Sequence, residues 1–223
     1  QKKHKVLLVA EVGDQREGIP VDEIHDVGKQ IKERYSSNLA LAGIAANFAC
    51  LSDRLPGKKT FDELASCMNS MAECFSGDDP ILSVGGSDVL EWVENGNTLP
   101  PEVTEIRCGT AILLGTYPFH DMPVAGANTD AIILEGEVLE CRQKYDRLRA
   151  VVDFGTLDTS PEDVRTPFGG IIFKGASSGY TVFDVTDCPE RLSTGRHISF
   201  LLNYRSLGRA FLSPKLSMKI CKS

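Results

Sequence analysis

The chain has 223 residues, 42% of them hydrophobic and 25% charged, with a formal net charge of −7. That composition fits one large folded domain or two ordinary ones and excludes a disordered chain. The acidic balance works against nonspecific binding to nucleic acid or anionic lipid, and no apolar run approaches the roughly 20 residues that cross a bilayer, so neither nucleic acid nor membrane is expected as a partner.

The first half alternates two periodicities. KVLLVAEV (5–12) is a continuous apolar run rich in β-branched residues, the pattern of a strand buried on both faces. DEIHDVGKQIKERY (22–35) then sets Ile24, Val27 and Ile31 on one helical stripe. NLALAGIAA (38–46) is strand-like again, and TFDELASCMNSMAECF (60–75) opens on a threonine cap and carries Phe61, Leu64, Met68, Met71 and Phe75 on one face. ILSVG (81–85) predicts a third strand, SDVLEWVEN (87–95) a short helix, and EIRCGTAILLG (105–115) a fourth strand. Repeated βα units imply parallel strands coated by helices.

From about Ala127 the texture changes. DAIILEGEVLECR (130–142), LRAVVDFG (148–155), GGIIFKG (169–175), TVFDVT (181–186) and HISFLLN (197–203) read as short strands between turns, a compact antiparallel β domain. The Pro/Gly/Asn-containing stretch 117–130 is the expected boundary, giving domains 1–126 and 127–223. Cysteines 50, 67, 74, 108, 141, 188 and 221 form no CxxC pair and no Cys/His cluster at zinc-ligand spacing. They predict no metal site, and they read as reduced thiols of a cytoplasmic protein, mostly small core residues. The start QKKHK leads directly into a strand rather than a signal-peptide core. Three or four parallel βα units leave two bare sheet edges, whereas a closed eight-unit barrel takes roughly 250 residues, so a further segment is expected before Gln1.

EVGDQREGI (11–19), LAGIAANFACLS (41–52), SVGGSDVL (83–90), EIRCGTAILLG (105–115), GASSGYTVFDVTD (175–187) and FLLNYRSLGRAFLSP (200–214) together resemble, in order, successive blocks of the alanine racemase-like enzymes, nearest the ornithine racemase branch. The resemblance implies an α/β fold: the later part of a pyridoxal-phosphate-binding (β/α)8, TIM-type barrel followed by an antiparallel β domain, in a homodimer acting on a small amino acid by α-proton abstraction. It implies that Ser87, Gly109 and Thr110 hold the cofactor phosphate. The glycines of SVGGSD let backbone approach an anion, and a helix starting at Ser87 offers unpaired N–H groups; on the residues alone the stretch reads first as an ordinary strand-to-helix turn with a serine cap.

By the same resemblance Arg107 faces the pyridine nitrogen, where a charged guanidinium keeps that nitrogen unprotonated, an arrangement suited to proton exchange rather than transamination. Without the resemblance Arg107 is a surface arginine at a strand start. Arg16 would approach the phenolic oxygen. Glu11 stands where alanine racemases carry a modified, anionic lysine, so its carboxylate could hold Arg16 directly. Asn47 takes the place of a histidine that packs by the ring, or is a turn former. Ser177 and Ser178 touch substrate or are hairpin-turn serines.

The sequence departs from the family pattern in three places. A lysine for the Schiff base is expected upstream of Gln1. The opposing catalytic tyrosine belongs to a longer segment than RQKYDRLRA (142–150), where Tyr145 reads as a hairpin residue, and Tyr204 reads as an interface or core aromatic. Gly179 stands where racemases put an aspartate near the substrate, so a basic amino group such as ornithine's loses a partner. A racemase-like fragment therefore competes with a catalytically degenerate phosphate-binding or regulatory module and with another reaction, decarboxylase or lyase, on the same fold.

Overall fold

Five strands of the first half run in one direction. The computed structural model describes residues 2–48, 50–52, 55–118, 120–166 and 168–221. In it β1 (His4–Glu11), β2 (Ile19–Pro20), β3 (Leu39–Asn47), β4 (Ile81–Gly85) and β5 (Glu105–Arg107) form one sheet ordered β2-β1-β3-β4-β5. Every ladder in it is parallel. The chain divides into two compact units, residues 1–112 with 117–124 and residues 113–116 with 125–223.

Burial follows position in the sheet. The central strands β3 and β4 are buried along most of their length, whereas β1, flanked outside by only the two residues of β2, alternates and leaves Leu7 exposed. Among the described residues the sheet ends at β2 and β5, so the structure shows an open parallel sheet; closure into the TIM-type barrel implied above is not part of it. At Gly43 the β1–β3 register shifts, and a Cβ there would lie 1.9 Å from the Ile81 carbonyl oxygen at a φ of +155°. Only glycine lets β4 approach so closely.

The connections are α1 (Ile24–Gln30), continued by a π-helical turn over Ile31–Tyr35, then α2 (Lys58–Ser70), a 3-10 turn over Ala72–Cys74, α3 (Asp88–Glu94) and α4 (Thr110–Leu114). The expected apolar stripe of α2 holds: Phe61, Leu64, Met68 and Met71 are buried, with Phe75 packed against them. Phe61 is the hub, its ring centroid 5.0 Å from Phe48 and 4.7 Å from Trp92.

Two boundaries differ from the sequence expectation. Helix α2 starts at Lys58, so Thr60 lies inside the first turn; the extended Gly57 precedes it, and Lys58–Asp62 and Lys59–Glu63 pairs support that turn. The run 105–115 is a strand only through Arg107, after which 110–114 is helical with Ile112 and Leu113 exposed. An apolar run without alternation does not by itself separate strand from helix.

The second unit is a sheet ordered β10-β6-β7-β9-β8, antiparallel throughout, from β6 (Ile133–Lys144), β7 (Arg147–Val152), β8 (Ile172–Ala176), β9 (Thr181–Asp184) and β10 (His197–Leu201). Its core gathers Phe154, Phe183 and Phe200, with ring centroids 5.1–6.3 Å apart. A helix not expected from the sequence, α5 (Tyr204–Leu212), follows β10 behind an Asn203–Ser206 capping box. The cysteines are all free, but among the described residues only Cys67 and Cys74 are buried, fewer than expected; Cys50 and Cys221 are exposed.

Asp184 on β9 carries a cross-strand charge cluster. Its Oδ2 lies 2.8 Å from Arg147 Nε and 2.7 Å from Arg149 Nη1, and its Oδ1 accepts from the Thr186 amide and hydroxyl. The hydrogen bond from Arg147 holds the carboxyl well below the usual aspartate range, against the opposing effect of burial.

Replacing Phe61 by alanine should lower the unfolding free energy by about 3–5 kcal/mol, measured by urea denaturation. Because the folded pKa of Asp184 is depressed, its stabilisation is fully present above the ordinary aspartate pKa and is lost as pH falls through the folded value. Asp184→Asn should therefore lower the thermal midpoint at pH 7 and flatten its decline below about pH 4; a variant as acid-sensitive as wild type would contradict this.

Candidate functional site

The registers Asn47↔Gly85 and Gly85↔Arg107 set the ends of β3, β4 and β5 in one row, and Ala10↔Ala46 brings Glu11 beside it. Parallel packing alone thus assembles four residues from distant parts of the chain, at the carboxyl end of the strands where α/β sheets hold ligands.

Arg107 is the best-anchored of them. Nη1 donates to the Ser83 carbonyl at 2.9 Å and to its hydroxyl at 2.5 Å, and Nη2 donates to the Ala46 carbonyl at 3.0 Å and to Asn47 Oδ1 at 2.6 Å. Its Nε has no acceptor among the described residues. Gly85 makes this possible: a Cβ there would sit 2.9 Å from Nη2 and 3.1 Å from Asn47 Oδ1. This is one reason the chain strips its side chains in SVGGSD.

Ser87 does not cap α3. Its buried hydroxyl accepts instead from the Ala111 amide at 3.0 Å, joining the loop after β4 to the start of α4, with Gly109 and Thr110 beside it. Among the described residues the backbone N–H groups of Ser87, Gly109 and Thr110 have no protein acceptor, and a side chain at Gly109 would meet open space. Next to them Asp88 is 2% exposed; Oδ1 accepts from the Gly86 amide at 3.0 Å, and Oδ2 has no hydrogen-bond partner among the described residues. Burial pushes its carboxyl above the ordinary range, and burial together with Asp88 raises the neighbouring Cys108 thiol.

Arg16 and Glu11 do not meet as expected. The Glu11 Oε1 accepts from the amides of Gly13 and Gln15 at 2.5 and 3.1 Å, because the strand ends there and the carboxylate turns into its own loop. Arg16 pairs instead with its neighbour Glu17, through both Nε and Nη2, and lies 3.7 Å from Asp14. Glu17 Oε1 also accepts from Asn47 Nδ2 at 2.7 Å. The hydrogen bond from Arg16 first, then the Arg16 charge and Asn47, outweigh burial and lower the Glu17 carboxyl. Asp14 is 3% exposed, and its Oδ1 collects the amides of Cys50, Leu51 and Ser52; burial would raise its carboxyl, but those three donors and Arg16 bring it below the usual value.

The structure thus brings Arg16, Asn47 and Arg107 into one hydrogen-bonded row, and Ser87, Gly109 and Thr110 into one loop pair. Sequence reasoning missed Glu17 and Ser83, the links of that row, and Asp14 and Asp88, the buried acids beside it. For Asp14 and Glu17 the available signal was the density of polar residues following β1; Ser83 and Asp88 carried none.

Ser177 and Ser178 lie in the second unit, in the β8–β9 turn, both exposed, with their carbonyls accepting from Thr156 and Leu157. Tyr145 occupies the β6–β7 hairpin turn at φ +56°, fully exposed. Tyr204 begins α5 and is 68% exposed, so it is not a core aromatic. The sequence has no metal-ligand spacing, yet donor atoms of His25, Glu73 and Cys74 come within 4.8 Å of one another. Lys32 Nζ donates to the Glu73 carbonyl at 2.5 Å, which sets a positive charge beside that trio.

The fold is a parallel α/β sheet followed in sequence by an antiparallel unit, and a row of donors at the carboxyl ends of the parallel strands, next to an amide-lined loop pair, is chemistry that suits an anion. The model of the alanine racemase N-terminal domain matches residues 1–118, and the chain belongs to that family. It is 26% identical, over a 242-residue alignment spanning 98% of this chain and 68% of the relative, to the ornithine racemase of Acetoanaerobium sticklandii. Its fold is similar to part of the alanine racemase of Bartonella henselae, whose structure holds covalently bound pyridoxal phosphate (TM-score 0.60, 15% identity, 95% of this chain). It is also similar to part of the D-threonine aldolase of Filomicrobium marinum (TM-score 0.66, 13% identity, 93% of this chain). The chain spans 61% and 56% of the lengths of those two structures. No helix among the described residues is long and apolar enough to cross a membrane.

Gly85→Ala should push Arg107 and Asn47 out of their shared contact while leaving the sheet folded, seen as an unchanged far-ultraviolet circular dichroism spectrum together with a lowered thermal midpoint; an unchanged midpoint would contradict the close packing of Arg107 over Gly85.

Proposed function

We propose that this chain provides the phosphate-binding and ring-facing residues of a pyridoxal-phosphate-dependent amino-acid racemase-like enzyme, acting as a homodimer, with the cofactor-anchoring lysine contributed from upstream of Gln1. The observation that carries this is Arg107: a guanidinium fixed by four contacts through its Nη atoms, with Nε left over as a donor.

The residues present fit the cofactor. Ser87, Gly109 and Thr110 would hold its phosphate through unsatisfied amides and a hydroxyl whose hydrogen is free once its oxygen has accepted from Ala111. The buried Asp88 beside them fits an anion only when neutral, which agrees with its raised pKa. Arg107 would face the ring nitrogen and, as a donor that does not give up its proton, keep that nitrogen an acceptor. Arg16 would approach the phenolic oxygen, with Glu11 and Asn47 shaping the floor.

When bound, pyridoxal phosphate supplies an electron-withdrawing ring that acidifies the α-carbon of an attached amino acid. A charged but non-acidic partner at the ring nitrogen tempers that withdrawal, which favours simple loss and return of the α-proton. Ser177 and Ser178 are proposed substrate contacts. The likeness to an aldolase supports a second reading, a carbon–carbon bond reaction on the same scaffold.

The full-length protein mixed with pyridoxal phosphate should develop a visible absorption band that borohydride fixes to a lysine upstream of Gln1, and in deuterium oxide it should exchange the α-proton of at least one amino acid. A colourless protein would reject the proposal. Aldehyde or keto products from a panel of D- and L-amino acids, without deuterium exchange in recovered substrate, would favour the second reading.

A further inference from the structure

Arg107 is surrounded by carboxylates that never touch it. On one side Asn47 Oδ1 accepts from Nη2 at 2.6 Å while Asn47 Nδ2 donates to Glu17 Oε1 at 2.7 Å. On the other, the Ser83 hydroxyl accepts from Nη1 at 2.5 Å and donates to Glu105 Oε1 at 2.5 Å. Two neutral side chains therefore stand between one guanidinium and two carboxylates.

This arrangement has a physical logic. A carboxylate placed directly against an arginine forms a bidentate pair and takes up two of its five donors, Nε among them in the side-on geometry. An amide and a hydroxyl each take a single donor. Each also has two possible orientations, and the carboxylate behind it selects one: Glu17 can only accept, so the Asn47 amide must turn its nitrogen outward and its oxygen to Arg107. Glu105 likewise fixes the hydroxyl proton of Ser83. The exposed Arg16–Glu17 pair is worth little to stability on its own, so the second contact of Glu17, to Asn47, is its more consequential one.

We propose that Glu17 and Glu105 are positioning residues that act through Asn47 and Ser83 to fix the plane of Arg107 and keep its Nε available to the cofactor's ring nitrogen. This rests on the cofactor reading above. The two acids bear on the ring nitrogen and not on the phosphate, which is held by other residues.

The test compares, in the full-length protein, the dissociation constants of pyridoxal phosphate and of its deaza analogue, in which carbon replaces the ring nitrogen. Wild type should prefer the natural cofactor by roughly tenfold, the scale of one hydrogen bond to a charged group. In Glu17→Ala and in Glu105→Ala that preference should fall to within about threefold, with the analogue's own affinity nearly unchanged. Glu17→Gln, which keeps an acceptor oxygen, should recover part of it, and Glu17→Ala combined with Asn47→Ala should lose no more than the single variants. Both acids are exposed, so the thermal midpoint is expected to hold, and the ratio of two ligands measured on one sample reports geometry even where stability drifts. A preference unchanged in both alanine variants, or losses that simply add in the double variant, would overturn the proposal alone. A wild type that binds neither compound would overturn the cofactor reading and this inference with it.

Discussion

A guanidinium at the end of a sheet can be fixed only if the neighbouring strands spare carbonyl oxygens to receive it. Arg107 ends β5, and its acceptors come from Ala46 on β3 and Ser83 on β4. It therefore laces three parallel strands across their carboxyl ends. That lacing works because position 85, between its two partner strands, carries no side chain, and because β3 and β4 stay in register from Gly43 to Asn47. The local requirement for a glycine, the pairing of the sheet and the chemistry available at its rim are one constraint seen at three scales.

The arrangement of charge around this site is graded. Around Arg107 the neutral Asn47 and Ser83 side chains form the next layer and the carboxylates of Glu17 and Glu105 stand behind them, whereas Arg16 pairs with Glu17 directly. Asp88 departs from that grading too, as a buried acid directly beside the amide-lined loop. Its burial favours the neutral form, and a neutral carboxyl can accept from the Gly86 amide without repelling an anion nearby.

Much of the architecture could be read from periodicity. The helical stripes at Ile24, Val27 and Ile31 and along α2, and the five short strands after Ala127, correspond to elements of the structure within a few residues. The failures share a cause. Runs such as AILLG carry hydrophobicity without a period, and α5 was hidden because its sequence YRSLGRAFL follows a strand with no punctuation but Asn203. At the site, Glu11, Asn47 and Arg107 lie at strand ends, yet the links among the residues there were illegible. Nothing in sequence distance announces that Glu17 reaches Asn47 or that Ser83 reaches Arg107; those contacts exist only once the parallel register is fixed. The expected Glu11–Arg16 pair failed for a related reason, since the sequence does not reveal where β1 stops and its last side chain becomes free to serve the loop.

Asp14 joins two segments that the sheet itself leaves independent. Its one oxygen gathers three consecutive amides from residues 50–52, on the connection after β3, while Arg16 stands against its other oxygen on the connection after β1. Each connection could otherwise drift on its own. Clasped by a single buried acid the two connections are tied to each other, so a change in the path of one loop would be passed to the backbone of the next.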